Sequence, residues 1–212
     1  MRARRTLLQR FFGLLYTRLA WGYDVVAWLA SAGQWYRWVE ASLPFVEVGP
    51  VLEVGCGRGR LLRPLAERGH QVTGVDYSGE MARYAAQESG QPIVQGDGRA
   101  LPFGDGQFAT LVTTFPAPYV LEGETQREFA RVVRPGGLWL WVDAPALAPT
   151  ASTALARLLA RAAQGRASDD EVTHYLSRDR SDGLWSVSVE RVSVGPTTVA
   201  VRVARRTVDD GR

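Results

Sequence analysis

A glycine-rich stretch follows the first strongly apolar run in the body of the chain, and its residue types are suited to holding an anionic group. Residues 53–59 have the sequence Glu-Val-Gly-Cys-Gly-Arg-Gly. Glycine lets the backbone turn tightly and lets a ligand approach it closely. Backbone amides in such a loop, at the start of a helix, favour a phosphate or a carboxylate. The stretch therefore predicts a ligand-binding turn between a strand and a helix.

A single carboxylate, Asp76, ends the next apolar run, directly after Val75. An acid at the end of a second strand can accept hydrogen bonds from both ribose hydroxyls of an adenosine. The third glycine of the turn follows the second by only two residues, which departs from the G-x-G-x-x-G spacing of dinucleotide sites. An adenosine with an amino-acid end therefore fits both features better than NAD does.

The elements that position these residues alternate along the chain. We predict strands at 51–54, 71–75, 92–94, 108–114 and 138–142, and helices at 61–68, 79–89 and 124–133, with a turn at Pro135-Gly136-Gly137. This alternation is typical of βαβ units and a parallel sheet. Two final strands, at 185–194 and 199–203, are joined by Gly195-Pro196. Further helices are predicted at 152–163 and 168–178.

Composition excludes several classes of function. The chain has 212 residues, 46% of them apolar and 22% charged, as expected of one globular α/β domain. Its formal charge is only +3 and its arginines are interleaved with acids, so no nucleic-acid partner is expected. One cysteine and two histidines permit neither an internal disulfide nor a Cys/His zinc cluster. We expect a reduced, cytoplasmic, metal-free protein.

The basic surplus is an N-terminal feature, because five arginines precede the first acid, Asp24. Residues 6–21 have helical apolar spacing, but charges interrupt them too often for a signal peptide or a membrane span. Two interpretations stay open. The segment either lies on the inner face of the membrane as a basic amphipathic helix or packs over its own domain.

Five sequence blocks in order resemble the class I S-adenosylmethionine-dependent methyltransferases, especially the methyltransferase type 11 and quinone-biosynthesis group. The blocks are 51–59, 75–78 with Met81, 96–97, 101–108 and 133–137. The resemblance covers roughly residues 50–143. It implies an α/β fold, a Rossmann-like, doubly wound, mostly parallel seven-stranded sheet with a C-terminal antiparallel hairpin and an N-terminal helical lid. Residues 1–46 would form the arm and lid, and residues 47–212 the methyltransferase domain.

The resemblance also implies S-adenosylmethionine as cofactor and S-adenosylhomocysteine as product. The three glycines of the turn would lie against the methionine moiety, Glu53 would orient its ammonium end and Asp76 would hold the ribose. Tyr77 and Met81 would contact the adenine, and Asp97 would accept from its amine. The full implied set is Glu53, Gly55, Cys56, Gly57, Gly59, Asp76, Tyr77, Met81, Asp97, Gly98 and Thr114.

Two departures from the family pattern concern a strand-end contact and the segment beside the reacting methyl group. Ala109 stands where relatives commonly have Asp, and the segment 113–119 contains no histidine. Tyr119 either contacts the acceptor or acts as a proton relay, or it is simply a packed aromatic residue. The mechanism that the resemblance implies is direct displacement at the sulfonium methyl, in which positioning, desolvation and electrostatics can supply most of the catalysis without a dedicated base.

A small-molecule or lipid-like acceptor is expected from the aromatic-rich residues 16–46, which are similar to the capping helices of quinone-type methyltransferases. The residues expected to face it are Tyr23, Phe115, His174 and Tyr175. The aromatics of the lid also fit simple packing onto the domain. Two other functions remain open, a catalytically silent cofactor-binding or membrane-associated partner protein and a nicotinamide-dependent oxidoreductase.

Overall fold

The computed structural model describes residues 33–143, 183–195 and 197–208. Its elements, in chain order, are α1 (Trp35–Val39), a 3₁₀ helix (Glu40–Phe45), β1 (Val51–Val54), α2 (Leu62–Glu67), β2 (Val72–Asp76), α3 (Gly79–Ser89), β3 (Ile93–Gln95), β4 (Phe108–Thr114), a second 3₁₀ helix (Pro118–Leu121), α4 (Gly123–Val132), β5 (Val133–Val142), β6 (Trp185–Val194) and β7 (Thr197–Arg206).

The seven strands form one sheet in the order β3-β2-β1-β4-β5-β7-β6. Neighbours from β3 to β5 are parallel, whereas β7 is antiparallel to both β5 and β6. The predicted α/β fold with a C-terminal antiparallel hairpin is confirmed. Because the strand order reverses between β1 and β4, their carboxyl ends form the crevice where doubly wound folds bind ligands.

Apolar side chains fix this sheet from both faces. On one face, Phe129 of α4 meets Trp139 of β5 edge to face, with ring centroids 5.1 Å apart. On the other face, Leu62 and Leu65 of α2 and Ala85 of α3 are fully buried against the central strands. All four residues of β1 are buried, as expected for a central parallel strand. The strand ends that carry the predicted site therefore stand on a rigid support.

The predicted turn at 135–137 is wrong, since these residues lie inside β5. Phe108 pairs with Val133 and Thr110 with Leu138, so β5 bulges away from β4 between the two pairs. A side chain on Gly137 would come within 2.7 Å of the carbonyl oxygen of Ala109. Turn-forming residues thus produce a bulge here, because glycine permits this close approach.

Several predictions lie outside the described residues. They are the amphipathic helix at 6–21, the helices at 152–163 and 168–178, and the side chains Tyr23, His174 and Tyr175. The boundary at residue 46 between lid and domain stays a prediction. Within the described ranges, no helix has the length and apolarity needed to cross a membrane.

Candidate functional site

A cavity of about 490 Å³ lies at the carboxyl ends of β1, β2 and β4. This volume is in the range of small-molecule and cofactor sites. Most residues of the predicted cofactor set line it: Glu53, Gly55, Cys56, Gly57, Asp76, Tyr77, Met81, Asp97, Gly98 and Thr114. Phe115 and Tyr119 line it as well. The fold brings these dispersed residues together, and their contact with a ligand stays a prediction.

Hydrogen bonds to the end of β2 shape the glycine turn. The amides of Gly55 and Cys56 both donate to the carbonyl oxygen of Val75, at 2.8 and 3.0 Å. Gly57 has a φ of 53°, and a Cβ added there would meet no heavy atom within 4 Å. The turn therefore presents bare backbone to the cavity at Gly57.

Gly59 does not line the cavity, although the family resemblance places it against the methionine moiety. A Cβ at this position would lie 3.1 Å from Cβ of Ala85 and 3.1 Å from Cδ1 of Leu62. Its φ of 73° is also a conformation that favours glycine. The third glycine therefore serves the packing of α3 against the turn, which sequence spacing does not reveal.

Asp76 ties the glycine turn to the loop after β2. Its Oδ2 accepts from the amide of Gly57 at 2.8 Å, and its Oδ1 accepts from the amide of Ser78 at 2.9 Å. Burial raises the pKa of this carboxyl, while the two amide bonds act in the opposite direction. A carboxylate has about four acceptor positions. Each oxygen therefore keeps capacity for one more donor, as two ribose hydroxyls require.

Glu53 is a buried carboxyl with an incomplete set of hydrogen bonds. It is 1% exposed, and the hydroxyl of Thr114 donates to its Oε1 at 3.4 Å. Its buried Oε2 has no hydrogen-bond partner within the described ranges. Burial raises the pKa of Glu53 to about 8, with Thr114 opposing the shift and the charge of Asp76 adding to it. Because unpaired buried polar atoms are costly, Oε2 indicates a place for a ligand donor.

Tyr119 packs against the core and also lines the cavity, so the structure is compatible with both interpretations of this residue. A Cβ on Gly98 would lie 2.8 Å from Cε2 of the Tyr119 ring, so that position accepts only glycine without displacement. The guanidinium of Arg99 lies 5.3 Å from the ring centroid and pairs with Glu122 at 2.8 Å. Any catalytic role of Tyr119 stays a prediction.

Two rings, Trp35 of α1 and Phe115 after β4, form the aromatic pair of the cavity, with centroids 4.3 Å apart. Phe115 is the one non-glycine residue of the described ranges with a positive φ, 47°. Its amide donates to the carbonyl oxygen of Val142 at 2.9 Å, which holds this strained backbone in place. Such strain is concentrated at functional sites.

Sequence reasoning did not assign several other lining residues. They are Trp35, Val39, Arg58, Arg60, Ser78, Arg99, Pro116 and Ala117. Trp35 is one of several aromatic residues in the range 16–46, and the sequence assigns no ligand contact to the arginines. Their places at the cavity depend on contacts between distant segments, such as the pairing of both Arg58 and Arg60 with Glu88.

Comparison with known proteins gives three kinds of similarity. The family model described as "Methyltransferase domain" matches residues 51–137. The chain is 38% identical over 137 residues to "Putative methyltransferase YqeM" of Bacillus subtilis, covering 60% of this chain and 55% of that protein. It is 33% identical over 165 residues to demethylmenaquinone methyltransferase of Mycobacterium tuberculosis, covering 73% of this chain and 70% of that protein.

Among solved structures, a SAM-dependent methyltransferase of Thermotoga maritima superposes with a TM-score of 0.66. The two chains are 16% identical, and the match covers 92% of this chain and 98% of that one. At this identity the likeness shows the fold alone.

Proposed function

The chain belongs to the class I S-adenosylmethionine-dependent methyltransferases, and we propose that it transfers the methyl group of S-adenosylmethionine, bound in the cavity, to a small-molecule or lipid-like acceptor. The observation that carries the proposal is the pair of carboxylates at the ends of β1 and β2. Glu53 has a buried oxygen that needs a donor, and Asp76 has unused acceptor capacity beside a bare glycine backbone.

These residues fit S-adenosylmethionine part by part. The ammonium group of its amino-acid end is a donor of the kind that Oε2 of Glu53 lacks within the described ranges. Its ribose hydroxyls match the remaining acceptor positions of Asp76, and Asp97 with the backbone of Gly98 is available for the adenine amine. Tyr77, 77% exposed at the cavity, has room to cover an adenine ring.

When bound, S-adenosylmethionine supplies a methyl group that its sulfonium charge makes electrophilic. In the proposed reaction the acceptor's nucleophilic atom would form a bond to the methyl carbon while the carbon–sulfur bond breaks. The electron pair would stay on sulfur to leave S-adenosylhomocysteine, and the acceptor's proton would pass to solvent. The residues of this chain contribute orientation and exclusion of water, which suffice for large rate effects.

The aromatic pair supports an acceptor with a flat apolar part. Trp35, Phe115 and the neighbouring Val39 line the cavity and are not needed to explain cofactor binding. The mycobacterial relative is named for demethylmenaquinone, a quinone. A quinone-like acceptor is therefore the first to try, with phospholipid headgroups as the second.

Radiolabel transfer tests the proposal. The purified protein is incubated with methyl-tritiated S-adenosylmethionine and either reduced 1,4-naphthoquinone, phosphatidylethanolamine vesicles or a lipid extract of the source cells. We expect label in the organic phase with the wild-type protein and none with Asp76→Ala. If the wild-type protein binds the cofactor but labels none of these, it is a silent cofactor-binding protein and the methyl-transfer proposal is wrong.

A further inference from the structure

Helix α1 carries Trp35 into the cavity lining but is too short to hold itself in place. It has five residues, and the amide of Trp38 donates to the carbonyl oxygen of Gln34 at 3.1 Å. Helices of one or two turns are unstable in water without tertiary contacts. The orientation of Trp35 therefore depends on tertiary contacts, those of its own ring with Phe115 and those of the rest of α1.

Hydrogen bonds connect α1 to the turn between β6 and β7. The indole N–H of Trp38 donates to Oγ1 of Thr197 at 2.9 Å. That hydroxyl donates to the carbonyl oxygen of Val194 at 2.8 Å and lies 3.4 Å from Oε1 of Gln34. Thr197 thus connects both ends of the first turn of α1 to a hairpin about 160 residues away in sequence.

Close packing reinforces this connection. Trp38 is 3% exposed and packs with Val142, Val199 and Val201 in a small core near the turn of the hairpin. Gly195 has a φ of 58°, and a Cβ there would lie 3.3 Å from Oε1 of Gln34. The turn and α1 are therefore fitted to each other, and a shift of one displaces the other.

One turn of α1 separates Trp38, which contacts Thr197, from Trp35, which lines the cavity. Trp35 and Trp38 have ring centroids 6.4 Å apart, and Trp35 meets Phe115 at 4.3 Å. Thr197 itself does not line the cavity. Any influence on the acceptor must pass through residues that pack against the Trp38 core and also line the cavity, which are Trp35 and Phe115.

We propose that Thr197 is a positioning residue, whose hydroxyl anchors Trp38 and so sets the orientation of Trp35 at the acceptor side of the cavity. The consequence for the acceptor rests on the proposed function. The coupling between Thr197 and the Trp35 ring does not, and it can be measured without any acceptor.

Fluorine NMR on the protein labelled with 5-fluorotryptophan tests this coupling directly. The chain has seven tryptophans, and a Trp35→Phe variant identifies the Trp35 resonance by its loss. In Thr197→Val we expect the Trp35 and Trp38 resonances to shift or broaden, while S-adenosylhomocysteine affinity stays within about twofold of wild type. Thr197→Ser keeps the hydroxyl and should restore both resonances.

Thr198→Val is the matched control, because Thr198 is the exposed neighbour on the same strand. It should leave the Trp35 resonance unchanged. If Thr197→Val is poorly folded, Trp38→Phe removes the same hydrogen bond while keeping a buried ring, and it should also move the Trp35 resonance. An unchanged Trp35 resonance in the folded variants, or an equal change in Thr198→Val, would overturn the proposal.

Activity gives a second readout once radiolabel transfer has identified an acceptor. Thr197→Val should then raise the KM for that acceptor several-fold with little change in kcat, and Thr197→Ser should restore it. A fall in kcat alone, with KM unchanged, would contradict a positioning role. Failure to find an acceptor would remove the proposed function but leave the fluorine result standing.

Discussion

The carboxylates and the aromatic pair line the same cavity but are built in different ways. Glu53 and Asp76 end adjacent central strands, and backbone amides within the same βαβ unit hold Asp76 in place. Trp35 and Phe115 come from a short helix and a strained residue, 80 positions apart, and meet only in the folded chain. The proposed cofactor side therefore rests on local motifs and the rigid sheet, whereas the proposed acceptor side depends on long-range packing.

Replacing Asp76 with alanine should break the cofactor side and produce the largest effect. The variant loses the acceptor of the Gly57 amide and both proposed ribose contacts. Two charge-assisted hydrogen bonds correspond to a loss of about 100-fold or more in S-adenosylmethionine affinity, measured by calorimetry. Trp35→Ala is the control from the aromatic pair, and its S-adenosylmethionine affinity should stay within about twofold of the wild-type value. Equal losses in both variants would mean that the two sides are not separable.

Sequence alone was sufficient to bring most residues of the proposed cofactor side to one cavity, because its information is local. The glycine turn, the strand-end acids and the alternating elements each occupy a few consecutive residues, and periodicity identifies them. The strands at 51–54, 108–114 and 185–194 agree with their predicted bounds. The acid at Asp76 was placed at a strand end for the same reason.

Long-range contacts are where sequence reasoning stopped. Gly59 has the spacing of a ligand-contacting glycine, yet Ala85 of α3 occupies the space beside it. Pro135-Gly136-Gly137 has the composition of a turn, yet it lies within β5 as the bulge between the pairs Phe108–Val133 and Thr110–Leu138. The pairing of Trp35 with Phe115 and the anchoring of α1 by Thr197 have no local sequence signal.

The protonation of Glu53 sharpens the cofactor side further. With a pKa of about 8 in the ligand-free protein, Glu53 is mostly protonated at pH 6.5. Binding an ammonium group favours the ionised form, so binding releases a proton and affinity should rise with pH until about pH 8. Because the ligand's own α-amino group loses its proton at about pH 8, we expect a rise of about fivefold between pH 6.5 and 8 in titrations with S-adenosylmethionine, and no rise for Glu53→Gln.

Glu53 should also make the free energy of unfolding depend on pH, but in the opposite direction to the cofactor affinity. Its folded pKa lies above the value of 4.5 for an exposed glutamate, so the folded state keeps a proton that the unfolded state loses. The free energy of unfolding should therefore fall as pH rises from about 5 to 8, and Glu53→Gln should remove on the order of 3 kcal/mol of that fall. Glu67→Gln, on the surface of α2, is the control and should retain the wild-type slope.

The smallest expected effect on affinity separates two glycines of one turn. Gly57→Ala adds a side chain toward open cavity space at positive φ, which should weaken S-adenosylmethionine binding about fivefold. Gly59→Ala meets Ala85 and should instead lower the free energy of unfolding by about 2 kcal/mol, with affinity unchanged in the folded protein. Urea unfolding and calorimetry measure the two quantities. A larger loss of affinity in Gly59→Ala than in Gly57→Ala would indicate that Gly59 contacts the cofactor after all.

Parallel calorimetric titration with S-adenosylmethionine, S-adenosylhomocysteine and NAD tests the central claim most directly, because it requires no knowledge of the acceptor. The geometry around Glu53 and Asp76 predicts micromolar binding of both sulfur ligands and none of NAD. Binding of NAD alone, or of none of the three, would contradict the assignment of the cavity to S-adenosylmethionine.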